Sequence, residues 1–277
     1  MRASWQDPPG TRGLSFGMPP LTSVVKLLLI SNIAVFVLQW VVLDRTFPRA
    51  FEFLGDAFAL NPLQWRDGFP LVPVWQLLSY GFLHAGVGHI LYNLLFLYFM
   101  GTMLEQELGS RRMLVFYLVA VALAGACQLG IGLALGQVAP ILGASGGVLA
   151  LVFALATLHP DMRVIFIVVP LTLRALALIY GAIELFGAIM QLKGEASNVA
   201  AFAHLSGALF GYLAVRLGWI WRDPLAEVGD WRERRAEARA ASDEERLDAL
   251  LAKINREGIH ALSPGERAFL KRVSQRD

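Results

Sequence analysis

Long apolar runs separated by short polar segments dominate this chain. Most of them approach the roughly 20 residues that cross a bilayer core. We therefore predict an all-α, polytopic membrane protein whose core is a bundle of six transmembrane helices. The six helices are predicted at residues 24–43, 88–104, 113–135, 145–159, 174–192 and 200–220.

The apolar runs and the polar segments at both ends define three predicted regions. Residues 1–22 form a polar tail without a cleavable signal, residues 23–221 form the membrane domain, and residues 222–277 form a soluble tail. The first long loop, 44–75, is rich in aromatic residues, which predicts short amphipathic helices in the membrane interface. The apolar run at 164–169 is too short to span and ends at Pro170.

The soluble tail carries two predicted helix starts. Ser242 to Glu245 and Ser263 to Glu266 both have the spacing of a capping box, in which a serine and a glutamate three residues later satisfy each other's backbone N–H groups. Gly258 is predicted to end the first of these helices. With apolar residues along one face of each helix, we expect a helical hairpin that docks on itself or on a partner protein.

Composition and charge support the membrane assignment. The chain is 56% hydrophobic and 17% charged, against about a quarter charged in soluble domains. A net charge of +2 gives no reason to expect nucleic acid as a partner, and the single cysteine, Cys127, rules out an intrachain disulfide. Arginines concentrate on one side of the predicted bundle, which places both termini in the cytoplasm.

With this orientation, four polar side chains fall at similar depth near the outer face. Ser145 begins the fourth run, His204 lies about one turn into the sixth, and His89 and Asn93 lie in the first turns of the second. Helix packing alone explains a serine among glycines. A catalytic interpretation makes Ser145 the nucleophile and His204 its general base. Its oxyanion donors would be the Ser145 backbone N–H and the side chains of His89 and Asn93.

Several features of the same residues bear on this interpretation. Gly207 and Gly211 remove bulk from the face of His204, so that another helix can approach it. Glu184 lies within the fifth run, but no motif ties it to His204, and a dyad is the simpler interpretation. Two alternatives remain: a metal site, disfavoured because only two of the five histidines are close in sequence, and a proton-relaying transporter, for which we see no inverted repeat.

The chain resembles the rhomboid family of intramembrane serine proteases. The resemblance covers residues 73–218 and rests on motifs in a fixed order. These are Trp75-Gln76-Leu77-Leu78-Ser79-Tyr80-Gly81-Phe82-Leu83-His84, His89 with Asn93, Gly101 with Glu105, Gly143-x-Ser145-Gly146, and His204 with Gly207 and Gly211.

The resemblance implies a six-helix core with a catalytic dyad, Ser145 as nucleophile and His204 as base, and no metal or other cofactor. It implies oxyanion-hole roles for His89 and Asn93, and a structural role for Glu105. Gly143 and Gly146 match the glycines that frame the serine. The tail hairpin is similar to an extension of some bacterial rhomboids. Two positions depart from the family pattern: Gln76 replaces an arginine found in some members, and Leu149 replaces an aromatic that stacks on the histidine.

The resemblance implies an intramembrane serine endopeptidase of the bacterial inner membrane. Its expected partners are the lipid bilayer and transmembrane protein substrates, which it would cleave near the outer interface. The alternative is a non-catalytic rhomboid-like protein that binds membrane proteins or serves their quality control. Such relatives typically lack the serine or the histidine, and this chain keeps both.

Overall fold

The structure is a computed structural model that describes residues 19–43, 47–166, 169–194 and 200–273. The chain separates into two compact units, with the boundary between Arg222 and Asp223. Most of the predicted N-terminal tail lies outside the described residues. So do residues 44–46 of the first loop and part of the turn predicted after the fifth helix.

Each of the six predicted membrane runs forms a helix. Among the described residues, four helices are long and apolar enough to cross a membrane, and their cores coincide with the first, second, third and fifth runs. The helices for the fourth and sixth runs have 14 and 16 residues. The helices are α1 (Ser23–Val37, continued by a π-helical turn Leu38–Leu43), α5 (Val87–Leu108, with a π-helical turn Leu97–Gly101), α6 (Ser110–Ala134), α7 (Ser145–Leu158), α8 (Leu173–Leu192) and α9 (Ala201–Arg216).

The first loop, 44–75, forms two short helices, as predicted, and a third helix follows it directly. They are α2 (Pro48–Phe58), α3 (Pro62–Asp67) and, after the loop, α4 (Gln76–Ser79). Gln76 is fully buried and joins them, because its side-chain oxygen accepts from the Asn61 backbone and the Trp65 indole, while its amide nitrogen donates to Gln64 and to the Asp56 carbonyl. The residue that departs from the family pattern therefore holds the loop together.

The short apolar run before α8 forms an element that the sequence analysis did not predict. Strands β1 (Arg163–Phe166) and β2 (Val169–Thr172) pair antiparallel, with Arg163 opposite Thr172. Helix α8 then begins at Leu173, with the Thr172 hydroxyl accepting from the Ala175 N–H as a cap. The hairpin thus fixes where α8 starts, one residue before the predicted boundary.

Burial separates a central helix from a peripheral one. Ten of the fourteen residues of α7 are buried, so this helix is surrounded by protein on all sides. In α8, five of twenty residues are buried, and large apolar side chains cover its outer face. A helix that is apolar all round is suited to the middle of a bundle, whereas α8 has one face for the bundle and another for lipid.

Glu105, near the end of α5, binds the start of α1. Its carboxylate accepts from the backbone N–H groups of Val24 and Val25, both at 2.9 Å, and from the hydroxyls of Thr22 and Ser110. The first N–H groups of a helix have no partner within the helix, and a negative charge there also interacts favourably with the helix dipole. Glu105 is almost fully buried, and its four donors satisfy both oxygens.

We predict that Glu105→Gln destabilises the membrane unit by about 1–3 kcal/mol, because the amide offers one acceptor where the carboxylate offered two and turns a donor toward the α1 N–H groups. Thermal unfolding in detergent micelles measures the change. Glu107→Gln is the matched control, since Glu107 lies two residues away in a part-exposed pair with His159. An equal loss of stability in both variants would contradict the capping role.

The tail unit forms a helical hairpin, in part as predicted. Helix α10 (Pro224–Glu257) and helix α11 (Pro264–Val273) pack through Leu250, Leu262 and Phe269. Gly258 ends α10 with φ +82°, as predicted. The capping box at Ser242 is wrong, because α10 runs through it without a break.

The second capping box is confirmed. The Ser263 N–H donates to Glu266 at 2.6 Å, and the Glu266 N–H donates to the Ser263 hydroxyl at 3.3 Å. Lys253 of α10 also donates to the Glu266 carboxylate at 3.0 Å. The backbone N–H of Ser263, together with Lys253, lowers the pKa of Glu266 to about 2.

We predict that the tail hairpin loses stability as the pH falls from about 4.3, the usual pKa of an unfolded glutamate, toward 2. A carboxylate with a lowered folded-state pKa stabilises the fold above its unfolded pKa and ceases to do so once it is protonated. Hydrogen exchange of the α11 amides in the full chain, corrected for intrinsic rates, measures this. Glu266→Gln should lower protection at neutral pH and flatten the pH dependence; an unchanged profile would contradict the prediction.

Candidate active site

The backbones of α7 and α9 approach each other closely at two glycines. A Cβ atom placed on Gly207 would lie 2.1 Å from the carbonyl oxygen of Gly146, and one on Gly211 would lie 2.2 Å from that of Ala150. No side chain fits at such distances, so only glycine is compatible with this packing. The two glycines that the sequence analysis placed beside His204 lie at this contact, and the helix that approaches them is the one that begins with Ser145.

This approach brings Ser145 and His204 into contact. Nε2 of His204 lies 2.5 Å from Oγ of Ser145, although the two residues are 59 positions apart in the chain. The hydroxyl sits at the first residue of α7 and the imidazole one turn into α9. The distance is that of a short hydrogen bond, the arrangement that lets an imidazole take the proton of a nucleophilic hydroxyl.

Gly143 shapes the space beside the serine. Its φ of +124° is a conformation that residues with a side chain rarely adopt. A Cβ atom at this position would lie 2.7 Å from Nε2 of His89 and 3.7 Å from Oγ of Ser145. The absence of that atom leaves a space that both the His89 ring and the Ser145 hydroxyl border.

Backbone hydrogen bonds connect the loop that carries Gly143 to Leu60 in the first loop and to Tyr80 just after it. The Gly143 N–H donates to the carbonyl of Tyr80 at 2.9 Å. Leu60 and Ile141 form an isolated antiparallel bridge, with both N–H···O distances at or below 3.0 Å. Tyr80 is buried, and its hydroxyl donates to the carbonyl of Val121 in α6. The first loop thus supports the backbone just before Ser145.

Asn93 lies one turn after His89 on the same face of α5. It is almost fully buried, and its amide nitrogen donates to the carbonyl of His89 at 3.0 Å. Its side-chain oxygen has no partner in the part of the chain that the structure describes. The backbone bond fixes the amide beside the His89 turn, and the amide's second N–H is available for another acceptor.

Two polar residues near the site were not predicted. The side-chain oxygen of Gln128 in α6 accepts from the Ala203 N–H at 3.1 Å, which anchors the start of α9 one residue before His204. The carboxylate of Glu184 in α8 lies 2.9 Å from Nδ1 of His204. The available signal was their polarity inside apolar runs, since such residues seldom face lipid.

A metal site does not emerge from the described residues. Within residues 19–43, 47–166, 169–194 and 200–273, no three His, Cys, Asp or Glu side chains come together as ligands. His84 and His89, the pair weighed from the sequence, meet edge to face with ring centroids 5.0 Å apart. His84 is fully buried, and among the described residues no third His, Cys, Asp or Glu completes a metal site with the pair.

Comparison with known proteins shows that most of this bundle matches the model of one protein family. Residues 73–221 match the model of the Rhomboid domain, which covers more than half of the chain. This region contains α4 to α9, with Ser145, His204, His89, Asn93 and Gly143. The matched region also agrees with the extent of the resemblance recognised from motifs.

Individual relatives come from bacteria and plants. The rhomboid protease GlpG of Klebsiella pneumoniae is 28% identical over 46% of this chain and 45% of its own length. GlpG of an Enterobacter species is 27% identical over 81% of this chain and 75% of its own. The mitochondrial RHOMBOID-like protein 12 of Arabidopsis thaliana is 30% identical over 69% and 57%. The chain spans about half the length of the first of these relatives.

We predict that Gly207→Ala separates α7 from α9, because the added methyl group would occupy the position of the Gly146 carbonyl. Overpacking of this kind costs about 1–3 kcal/mol, measured as a lower midpoint of thermal unfolding in micelles. Gly130→Ala in α6 is the control, since its Cβ would meet nothing within 4 Å. If the two variants unfold at the same temperature, the close approach of α7 and α9 at Gly207 does not stabilise the membrane unit, and the prediction is wrong.

Proposed function

Because the chain belongs to the rhomboid family of intramembrane proteases, we propose that it is a serine endopeptidase that cleaves transmembrane segments of other membrane proteins. Ser145 is the nucleophile and His204 the general base. The observation that carries this proposal is the 2.5 Å separation between Ser145 Oγ and His204 Nε2.

The proposed reaction follows the chemistry of acyl transfer. As Ser145 Oγ bonds to the substrate carbonyl carbon, its proton passes to His204 Nε2, and the carbonyl π electrons move onto oxygen. The tetrahedral intermediate collapses when the C–N bond breaks and the imidazolium returns that proton to the leaving amine. Water, activated by the same imidazole, then hydrolyses the acyl-enzyme. No cofactor takes part in these steps.

The proposed oxyanion hole combines a backbone donor with two side chains. The N–H of Ser145 is the first of α7, and N–H groups in the first turn of a helix are not used within it. His89 and Asn93 are the proposed side-chain donors. The space that Gly143 leaves beside both His89 Nε2 and Ser145 Oγ supports this assignment, because the developing oxyanion needs room there.

The proposed substrates are transmembrane helices that unwind locally near the outer interface. A helical carbonyl is engaged in an intrahelical hydrogen bond, so the segment must open before the carbonyl can be attacked. We propose that the protein lies in a bacterial inner membrane with both termini in the cytoplasm. The exposed apolar side chains of the first loop, which include Phe53, Phe69, Leu71 and Trp75, support contact with the bilayer.

We predict that the purified protein cleaves a model transmembrane substrate in detergent micelles or proteoliposomes, and that a fluorophosphonate labels Ser145. Ser145→Ala should abolish both cleavage and labelling, because the nucleophile is removed. His204→Ala should lower cleavage at least about 10³-fold, because the serine loses its base. Gel electrophoresis of the products and mass spectrometry of the labelled peptide measure the two outcomes.

Cys127→Ala serves as the control for substitution of a small nucleophile within the membrane unit. It should leave cleavage unchanged, since Cys127 lies in α6 and, among the described residues, forms no hydrogen bond to Ser145 or His204. Cleavage that persists in Ser145→Ala and His204→Ala would overturn the mechanism. Absence of both cleavage and labelling in the wild type would favour the non-catalytic binding function.

A further inference from the structure

Glu184 contacts the imidazole of His204 on the side opposite Ser145. Its Oε2 lies 2.9 Å from Nδ1, and both side chains are largely buried, with 12% of the glutamate and 14% of the histidine exposed. The contact is a close approach of the carboxylate to Nδ1, which has no hydrogen-bond partner among the described residues. His204 is thus placed between a hydroxyl on one nitrogen and a carboxylate on the other.

A carboxylate in this helix requires a specific reason. The outer face of α8 is covered by exposed apolar side chains: Leu178, Ile179, Ile183, Leu185, Phe186 and Ile189. Glu184 instead lies on the stripe that faces the bundle, with Ala177 and Tyr180 before it and Ala188 and Gln191 after it. An ionisable residue at membrane depth is costly and is retained where it has a partner.

The neighbours of Glu184 fix α8 against the site. One turn toward the C-terminus, Gly187 approaches Ala201, which precedes His204 by three residues; a Cβ on Gly187 would lie 3.4 Å from that of Ala201. One turn in the other direction, the hydroxyl of Tyr180 is hydrogen-bonded to that of Tyr92 in α5. Further along, Gln191 donates to Gln137 at 2.7 Å. Packing on both sides of Glu184 therefore holds it at His204.

We propose that Glu184 is a positioning residue that holds and polarises His204, so that the catalytic unit is a Ser145–His204–Glu184 triad rather than the dyad inferred from the sequence. This inference rests on the proposed protease function. It assigns the third role to a residue of α8, a helix that contributes neither the nucleophile nor the base.

The chemistry of the contact supports that role. A carboxylate beside Nδ1 favours the tautomer that carries its proton on Nδ1, which leaves the Nε2 lone pair free to accept the Ser145 proton. When that proton moves, the imidazole becomes a cation, and the fixed negative charge 2.9 Å away stabilises it in a site with little water to screen it. In these steps the proton moves only between Ser145, His204 and the substrate, and none is transferred to Glu184.

Leu149 gives this contact added importance in this chain. Leu149 is buried one turn after Ser145, at the position where the family pattern carries an aromatic residue that stacks on the histidine. A leucine side chain offers no ring face for stacking. The contact with Glu184 supplies an alternative means of orienting the imidazole.

The test compares Glu184→Gln and Glu184→Asp in the full chain, with a fluorogenic transmembrane substrate in micelles. Glutamine keeps the size of the side chain and removes its charge, so kcat should fall about 100-fold while KM stays within about threefold. Aspartate keeps the charge on a stem one methylene shorter and should recover part of kcat. The rate of fluorophosphonate labelling of Ser145 should fall in the same order, since that reaction needs the base but no unwound helix.

Glu107→Gln is the matched control, because Glu107 and His159 form the other 2.9 Å histidine–glutamate pair among the described residues. It should leave kcat and labelling unchanged. Wild-type kcat in Glu184→Gln would overturn the triad. Equal losses in Gln and Asp variants with a lowered unfolding midpoint would also overturn it, since they indicate a packing role only.

The two proposals fail in distinguishable ways. If the wild type cleaves the substrate and Glu184→Gln cleaves it with the same kcat, the triad is overturned and the protease function stands. A wild type that labels but cleaves no substrate overturns the proposed cleavage, and the labelling rates still decide the role of Glu184. A wild type that neither cleaves nor labels overturns both.

Discussion

The direct contact between the backbones of α7 and α9 is the constraint on which this site depends. In a bilayer, helices gain little from hydrophobic association, so the distance between them is set by the volume of the residues at their interface. Gly207 and Gly211 allow the carbonyls of Gly146 and Ala150 to replace side chains at that interface. Ser145 and His204, the proposed nucleophile and base, sit at the end of this contact, and their 2.5 Å separation is a consequence of helix packing.

Buried polar side chains supply the connections that packing alone does not. Gln76 uses both ends of its amide to assemble the first loop, and Gln128 anchors the start of α9. Glu184 faces His204 from a helix whose opposite side is apolar. Each of these groups would be expensive in lipid without its partners, so each restricts the bundle to arrangements in which the partners meet.

The sequence allowed the helices and the shared depth of the polar residues to be predicted, because hydropathy and length report directly on the spans. It also indicated Ser145 and His204, since glycine spacing reveals which helix faces can meet. The partner of Glu184 was beyond such reasoning: a lone carboxylate within an apolar run defines no face, and the rotation of α8 about its axis depends on its neighbours.

Two other features escaped prediction for different physical reasons. The β1–β2 hairpin is a pairing between segments too short to give a periodic signal. The capping box at Ser242 has the right residues, but a cap is formed only where a helix begins, and α10 is already helical there. Local spacing therefore identified the true start at Ser263 and a false one at Ser242 with the same pattern.

The capping of α1 by the Glu105 carboxylate has a consequence for the biogenesis of the protein. The two backbone N–H groups that donate to it lie 81 and 80 positions earlier in the chain, so α1 emerges from the ribosome without its cap. At about 5–20 residues per second, roughly 4 to 16 s of synthesis separate the two partners. During that interval the first turn of α1 must find other acceptors, such as water or lipid headgroups. The arrival of α5 then exchanges these transient partners for a permanent one, which makes membrane assembly of this chain a process ordered in time.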